Sequence, residues 1–316
     1  MRKFTKRIPR PLKNAILWVM RLPGKLHAAL FQAAMRGTLY CPDKLFLKWN
    51  YRVFMHRKLD LRHPKTFNEK LQWLKYYYRN PAHTPLADKY AVRAFVAERL
   101  GDAVLIPCYG VYDSWDAIDF DALPQKFVIK CTHDSGSVVI VRDKETFDRA
   151  SARRKIEAGL SRNQFYLSRE WVYKNIKPRI LIEAFLEVPE TTRVPDYKCM
   201  CFGGKMHYTY VCSDREAADG AKLDFFDMEW NHLAVSHVFP NSAVPPAKPA
   251  CFETMVQYAE TLAADMPFVR VDFYEVDGKL YFGEITFFPS GGRMPYEPES
   301  FDLEMGEKIV LPMPMR

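Results

Sequence analysis

Residues 268–287 read Phe-Val-Arg-Val-Asp-Phe-Tyr-Glu-Val-Asp-Gly-Lys-Leu-Tyr-Phe-Gly-Glu-Ile-Thr-Phe. Two β-branched and aromatic runs flank Val276-Asp277-Gly278, the pattern of a β-hairpin. Each run carries charge where apolar residues would be expected: Arg270 and Asp272 on the first arm, Glu284 on the second. Charges inside such strands are costly unless they are paired or bind a metal. Turn length decides which of them meet. A two-residue Asp277-Gly278 turn with regular pairing puts Asp272 and Glu284 on opposite faces. A three-residue loop with Gly278 left-handed pairs 275 with 279 and sets Arg270 opposite Glu284. Arg270, Asp272, Glu284 and Thr286 then share one face, so the three-residue loop is the expectation. Such a face suits Mg²⁺, a hard cation that takes carboxylates plus phosphate oxygens. An Arg270–Glu284 ion pair beside a solvated Asp272 is the competing reading.

Outward from the hairpin, further strands are expected at 126–130, 137–141, 179–186, 196–202 and 205–212. Helices are expected over 64–100, from Asp143 to about 160, and at about 251–265. Thr66 and Glu69 have capping-box spacing. Asp88 can cap a second helix and Gly101 can end it. Strands outnumber helices in the second half and hairpins dominate. That pattern predicts an α+β fold with antiparallel sheets.

The chain has 316 residues, of which 48% are hydrophobic and 27% charged. This composition excludes a disordered or fibrous protein. The net charge of +8 is uneven: residues 1–60 hold 14 Lys/Arg against 2 Asp/Glu, and the remainder is slightly acidic. No basic face runs along the body, so nucleic acid is not an expected partner. Residues 1–37 contain nine Lys/Arg and no carboxylate, with a short apolar stretch at 15–20. That stretch is far below the roughly 20 residues of a membrane span. Two short basic helices, about 11–22 and 25–36, are expected. They either lie on an anionic membrane surface or pack on their own domain. The seven scattered cysteines lack metal or redox spacing and point to a reducing, cytoplasmic setting.

Four other segments carry candidate chemistry. Lys130 ends a strand and precedes Ser135-Gly136-Ser137, small residues that let backbone N–H groups approach an anion. Glu183-Ala184-Phe185-Leu186 is an apolar edge. Pro289-Ser290-Gly291-Gly292-Arg293 follows the acidic strand and could aim N–H groups at an oxyanion. Asp119-Phe120-Asp121 has the spacing of a metal-dependent glycosyltransferase motif, although a solvated loop fits it better. Taken alone, the first three read as an ordinary hairpin turn, a buried strand and a plain turn.

In order along the chain, these residues resemble the ATP-grasp superfamily, and in particular its TupA-like (teichuronopeptide biosynthesis) branch. The matching stretches are Pro-Lys-Thr-Phe-Asn-Glu-Lys-Leu-Gln-Trp-Leu-Lys (64–75), Ala-Asp-Lys-Tyr-Ala-Val-Arg (87–93), Ile-Pro-x-Tyr-Gly-Val-Tyr-Asp (106–113), Phe-Val-Ile-Lys (127–130), Arg-Glu-Trp (169–171), Lys-Asn-Ile-Lys-Pro-Arg-Ile (174–180), Asp-Tyr-Lys (196–198), Arg-Val-Asp-Phe-Tyr (270–274) and Gly-Glu-Ile-Thr-Phe-x-Pro-x-Gly-Gly (283–292). The resemblance implies two antiparallel-sheet subdomains that sandwich ATP, at 126–190 and 191–316. A helical lead-in at 61–125 and a basic arm at 1–60 would precede them.

By the same resemblance Lys89, Lys130 and Lys198 lie near ATP, Lys89 and Lys130 at the phosphates. Ser135, Gly136 and Ser137 form a lid loop. Glu183, Ala184, Phe185 and Leu186 form the adenine hinge, and Asp196 suits the ribose. Asp272, Glu284 and Thr286 hold Mg²⁺, with Thr286 where the superfamily usually has Asn. Arg270 steadies the transferring phosphoryl group, and Ser290 with Gly291 steadies a tetrahedral oxyanion. The implied reaction is an Mg-ATP-dependent carboxylate–amine ligation through an acyl phosphate. Its partners would be a carboxylate-bearing saccharide of the bacterial cell surface and an amine such as an amino acid. A glycosyltransferase of the same pathway, an ATP-grasp phosphotransferase and a non-catalytic adaptor are the alternatives.

Overall fold

A computed structural model describes residues 24–187, 194–213 and 220–315. The helix expected at 11–22 lies outside these residues. Two separate sheets carry the fold, and every strand pairing in them is antiparallel. The smaller sheet has the order β1 (Cys108–Tyr112), β4 (Ile180–Ala184), β2 (Phe127–Cys131), β3 (Val138–Val141). The larger has the order β10 (Lys279–Thr286), β9 (Phe268–Val276), β5 (Asp196–Phe202), β6 (Lys205–Ser213), β7 (Lys222–Phe226), β8 (His232–Leu233). The small sheet thus takes its edge strand, β1, from the lead-in region.

Alternation fixes what each face of the small sheet does. Phe127, Ile129, Cys131, Ile180 and Ile182 point to a core shared with Ala152 and Ile156 of helix α6 (Arg149–Leu160). Lys130 and Glu183 therefore project from the opposite face, where they form an ion pair. Helix α6 starts later than expected. Asp143 accepts hydrogen bonds from Glu145 N and Thr146 Oγ1 at 3.0 and 2.9 Å, closing a turn. Asp148 is the residue that caps α6, accepting from Ser151 N at 2.9 Å.

The large sheet divides its work in the same way. Tyr197 and Phe273 face a cluster that includes Trp230 and helix α8 (Phe252–Ala263), and Val269 and Val271 share their side of β9. On the other face, Phe202, Tyr208, Phe225 and Phe268 pack against Phe67 and Phe301. Phe67 opens helix α3 (Phe67–Tyr77) and Phe301 lies on helix α9 (Glu299–Lys308). Arg270, Asp272 and Lys198 share this second face, further along the strands. Aromatic packing thus closes one end of the face and leaves charged residues at the other.

The hairpin turn differs from expectation. Lys279 pairs with Val276, so the turn has two residues, and Asp277 and Gly278 both take positive φ (52° and 73°) as a type I′ turn requires. A bulge between Phe282 and Glu284 then restores the shared face: Glu284 stands opposite Asp272 and Thr286 opposite Arg270. Gly283 is the extra residue.

Helix α3 has the expected capping box between Thr66 and Glu69. Its first turn is also held by Asp302 of α9, whose Oδ1 accepts from Asn68 N at 2.9 Å and Asn68 Nδ2 at 3.0 Å. The two helices touch at Gly306, where an added Cβ would fall 2.1 Å from Lys65 O. Alanine improves helix propensity by about 1 kcal/mol over glycine in an exposed helix. Here backbone overlap outweighs that gain. Gly306→Ala is expected to lower the urea midpoint, by roughly 3 kcal/mol in stability. A raised midpoint would mean that propensity, not the crossing, governs this position.

Candidate active site

The charged end of the large sheet forms one connected cluster. Arg270 grips Asp272 with two hydrogen bonds, Nε to Oδ1 at 2.6 Å and Nη2 to Oδ2 at 2.7 Å. The same Nη2 donates to Glu284 Oε1 and Thr286 Oγ1, both at 3.0 Å. Thr286 Oγ1 donates in turn to Glu284 Oε1 at 3.0 Å. Arg270 Nη1 donates to the Tyr210 hydroxyl at 2.8 Å. Lys198 donates to Asp272 Oδ2 and lies 2.9 Å from Asp196 Oδ2. Lys89 reaches Glu284 Oε2 at 3.7 Å. The expected residues Asp196, Lys198, Arg270, Asp272, Glu284 and Thr286 therefore meet.

Burial and pairing set the charges. Burial opposes the Arg270 charge, but Asp272, Tyr210 and Glu284 override it and raise the guanidinium pKa. Lys198 is likewise raised: burial and Arg270 oppose its charge, and Asp196 and Asp272 prevail. Burial raises the Asp272 carboxyl above its ordinary value, and Arg270 and Lys198 offset only part of that rise. Clasped by two cations, Asp272 is the anion between them. Burial would also raise Glu284, yet Lys89, Arg270 and Lys198 outweigh it and hold it at about 2.

The small-sheet side supplies the remaining expected residues. Lys130 pairs with Glu183, which also meets Arg93 Nη1 at 3.4 Å. Lys89 Nζ donates to Asp134 O at 2.6 Å, so one lysine touches both the β2–β3 loop and Glu284. Ser135 and Gly136 are exposed at the tip of that loop, and Gly136 has φ 97°. Ser137 is not at the tip. It is buried, donates to Asp134, and packs where a Cβ on Gly159 of α6 would collide with it. Its hydroxyl shapes the loop from behind. Ala184, Phe185 and Leu186 are half-buried, and Arg142 lies over the Phe185 ring at 5.0 Å. His133 is buried, with Nε2 3.1 Å from Arg162 O and Nδ1 without a hydrogen-bond partner among the described residues. Asp119 is a turn former that accepts from Asp121 N and Ala122 N at 3.1 and 3.3 Å. Both aspartates are exposed, as the solvated-loop reading had it.

The loop after β10 is unusual. Ser290, Gly291 and Gly292 have φ of 50°, 61° and 56°, three left-handed residues in a row. Gly291 N–H donates to Phe288 O at 2.9 Å, so it is not free for the oxyanion role expected of it. Helix α3 holds the turn from behind. Lys75 Nζ donates to Gly291 O at 2.5 Å and Ser168 O at 3.0 Å, and Gln72 Nε2 donates to Gly291 O at 3.0 Å and also to Gly292 O. Lys75 is fully buried, and burial with Arg293 lowers it to about 7 against the pull of Glu170. Residue patterns did not single out Gln72, Lys75, Arg93, Tyr210 or His237. A lysine or glutamine on an amphipathic helix reads as solvated, and only the match over 64–75 and 87–93 marked three of them.

Two antiparallel sheets, with Lys89 and Lys130 on one side and buried Arg270 and Asp272 beside half-buried Glu284 on the other, fit an ATP-grasp protein. A family model described as TupA-like ATPgrasp matches residues 69–310. The chain belongs to that family. Solved structures to which the chain is similar include the D-alanine–D-alanine ligase of Bacillus anthracis complexed with ATP, at 15% identity and TM-score 0.37 over 64% of this chain and 55% of that one. The D-alanine–D-alanine ligase of Helicobacter pylori aligns at 14% identity and TM-score 0.40, over 77% and 69%. The N5-carboxyaminoimidazole ribonucleotide synthetase of Thermus thermophilus aligns at 14% and 0.38, over 70% and 51%. The chain spans little more than half the length of the Bacillus ligase. No curated protein matches it.

Two pH windows follow from this site and its surroundings. His237 and His83 are buried and lowered to about 4, in both cases chiefly by burial. Their folded pKa lies below the unfolded value of about 6.5, so the unfolded state binds more protons between the two. Stability should fall as pH drops from about 6.5 to about 4. His83→Gln should flatten that slope in pH-dependent melting. Glu284 is lowered too, so its contribution is present above about 4.5 and lost toward about 2. Glu284→Gln should flatten only that lower window.

Proposed function

We propose that the protein is an Mg-ATP-dependent carboxylate–amine ligase that joins an amine to a carboxylate-bearing saccharide of the bacterial cell surface. One observation carries the proposal: Asp272 and Glu284 stand side by side across the hairpin, both held by Arg270, with Thr286 beside them. Among the described residues no cluster of three or more His, Cys, Asp or Glu is arranged to hold a metal. Two carboxylates and a hydroxyl suit Mg²⁺ instead, which takes few protein ligands and completes its shell with phosphate oxygens and water.

Asp272, Glu284 and Thr286 would hold that ion. When bound, Mg²⁺ supplies charge neutralisation at the transferring phosphoryl group. The chain's own cations do the rest. Lys89 and Lys130 meet the nucleotide phosphates, and Ser135 and Gly136 close over them from the loop tip. Glu183 to Leu186 border the adenine, and Asp196 the ribose. Arg270, locked in orientation by Asp272 and Tyr210, faces the γ-phosphoryl as the substrate carboxylate attacks it. An acyl phosphate forms and ADP departs. The amine then attacks the acyl carbon beside the Ser290 turn, phosphate leaves, and an amide remains.

The envelope setting and membrane contact through residues 1–37 belong to the same proposal. No helix among the described residues is long and apolar enough to cross a membrane.

Thermal melting tests the nucleotide site. Mg-ATP at about 100 times its dissociation constant should add about 2.7 kcal/mol to wild-type stability. Glu284→Gln should melt lower than wild type without ligand at neutral pH, because the Glu284 pairing is lost, and should lose most of the Mg-ATP shift measured from its own ligand-free midpoint. A shift given by UDP-sugars but not by ATP would move the function to a glycosyltransferase. ADP release without an amide product would make it a phosphotransferase.

A further inference from the structure

A groove of about 390 Å³ meets the Ser290 turn at His237. The His237 ring stacks on Tyr296, with centroids 4.1 Å apart and planes 9° from parallel. Its Nδ1 lies 3.0 Å from Pro295 O and its Nε2 lies 3.0 Å from Ser290 Oγ. A carbonyl oxygen only accepts, so Nδ1 carries the hydrogen. Burial keeps the ring neutral, so Nε2 can only accept and the Ser290 hydroxyl must donate to it. Ser290 itself is exposed. With its one hydrogen committed to His237, it offers a ligand lone pairs and nothing else.

The groove wall is a strained turn. Phe239 N–H donates to His237 O at 2.7 Å across Val238, whose φ is 66°. This is a γ-turn of the rare positive-φ kind, and a β-branched residue there is an outlier. Strain of this sort persists where the surroundings enforce it, and it clusters at ligand sites. Here it holds Val238 and Phe239 at 49% and 42% exposure on the groove wall. Glu297 is exposed and is the one formally charged residue lining the groove.

Apolar walls, a single carboxylate and an acceptor-only hydroxyl are complementary to one kind of ligand. We propose that this groove is the acceptor subsite, binding an amine whose attached group is apolar and directing its nitrogen to Ser290 Oγ. The inference rests on the ligase proposal for its place in the reaction. Phe239 and Val238 contact the apolar portion, Glu297 draws in the ammonium form, and Ser290 accepts a hydrogen bond from the nitrogen. His237 is a positioning residue, because it fixes which way the Ser290 hydroxyl points.

Ligand-observed NMR on the full chain saturated with Mg-ADP tests this with three probes of matched shape: isoamylamine, isovalerate and isoamyl alcohol. Isoamylamine should bind at least about tenfold more tightly than isovalerate, a margin of one charge-assisted hydrogen bond. Ser290→Ala and Phe239→Ala should each weaken the amine about tenfold. Glu297→Gln should weaken it up to about fivefold, as for an exposed ion pair. His237→Asn can still donate to Pro295 O but leaves the Ser290 hydroxyl free to rotate. It should therefore let Ser290 donate to isovalerate and narrow the margin of amine over carboxylate, while leaving isoamyl alcohol affinity unchanged, an outcome that general loosening of the fold would not produce. Isovalerate binding as tightly as isoamylamine would overturn the proposal. So would amine affinity unmoved by both Ser290→Ala and Phe239→Ala, each of which changes an exposed side chain. Mg-ATP melting on the same samples keeps the two proposals apart: a missing ATP shift strikes the ligase reading, and the amine data strike the subsite.

Discussion

One residue of register holds this site together. The type I′ turn at Asp277-Gly278 alone would leave Asp272 and Glu284 on opposite faces of the sheet. Gly283 adds the residue that brings Glu284 round to meet Asp272. A Cβ there would lie 3.1 Å from Asp272 O and 3.2 Å from the Tyr274 ring, so the space belongs to a glycine. Everything chemical about the large sheet follows. Arg270 can grip both carboxylates only because they share its face, and Thr286 falls beside it for the same reason.

The second constraint is charge balance. Taking an ion out of water costs several kcal/mol, recovered only when its partners are well placed. Lys198, Arg270 and Lys89 match Asp196, Asp272 and Glu284 one for one, and the two most buried of these cations each meet two carboxylates. The cluster is therefore tolerable without a ligand. Under the proposed function it would also be receptive, since a divalent ion arriving with polyanionic phosphates would add charges of both signs to a network that already alternates them. Arg270 gains orientation from this arrangement. Four acceptor groups hold its guanidinium, so under the proposed reaction it would have little freedom left to lose as a phosphoryl group passes.

Much of this was legible in the residues. The strands 196–202 and 268–287, the capping box at Thr66 and Glu69, and the antiparallel α+β class all rest on local patterns. The convergence of Arg270, Asp272, Glu284 and Thr286 was legible too, though by another route, because a bulge has no composition signal beyond one glycine within a strand. β1, β7, β8 and α9 escaped notice: their segments are short or weakly periodic, and pairing or packing with distant residues makes them regular. The resemblance puts Ser137 in the lid loop with Ser135 and Gly136, and spacing cannot show that Gly159 of α6 leaves a pocket behind the loop for its hydroxyl. His237 could not be found from sequence at all. Its partner Ser290 is 53 residues away, and the turn that aims it contains a valine where turn rules would ask for glycine.

The left-handed turn at 290–292 has a consequence for rebuilding proteins of this kind. Its carbonyls are held by Gln72 and Lys75, whose own setting needs the Ser168 carbonyl and the Asp302 cap at the start of α3. The portable unit is thus not the loop but four pieces scattered over more than two hundred residues of chain. A graft of residues 288–293 onto a relative would arrive without its fasteners and relax toward a right-handed turn. Recombination that exchanges the two sheets as blocks would cut the same unit in half. Acceptor specificity in this architecture should therefore be easier to alter along the 237–239 wall, which leans on the turn, than within the turn itself.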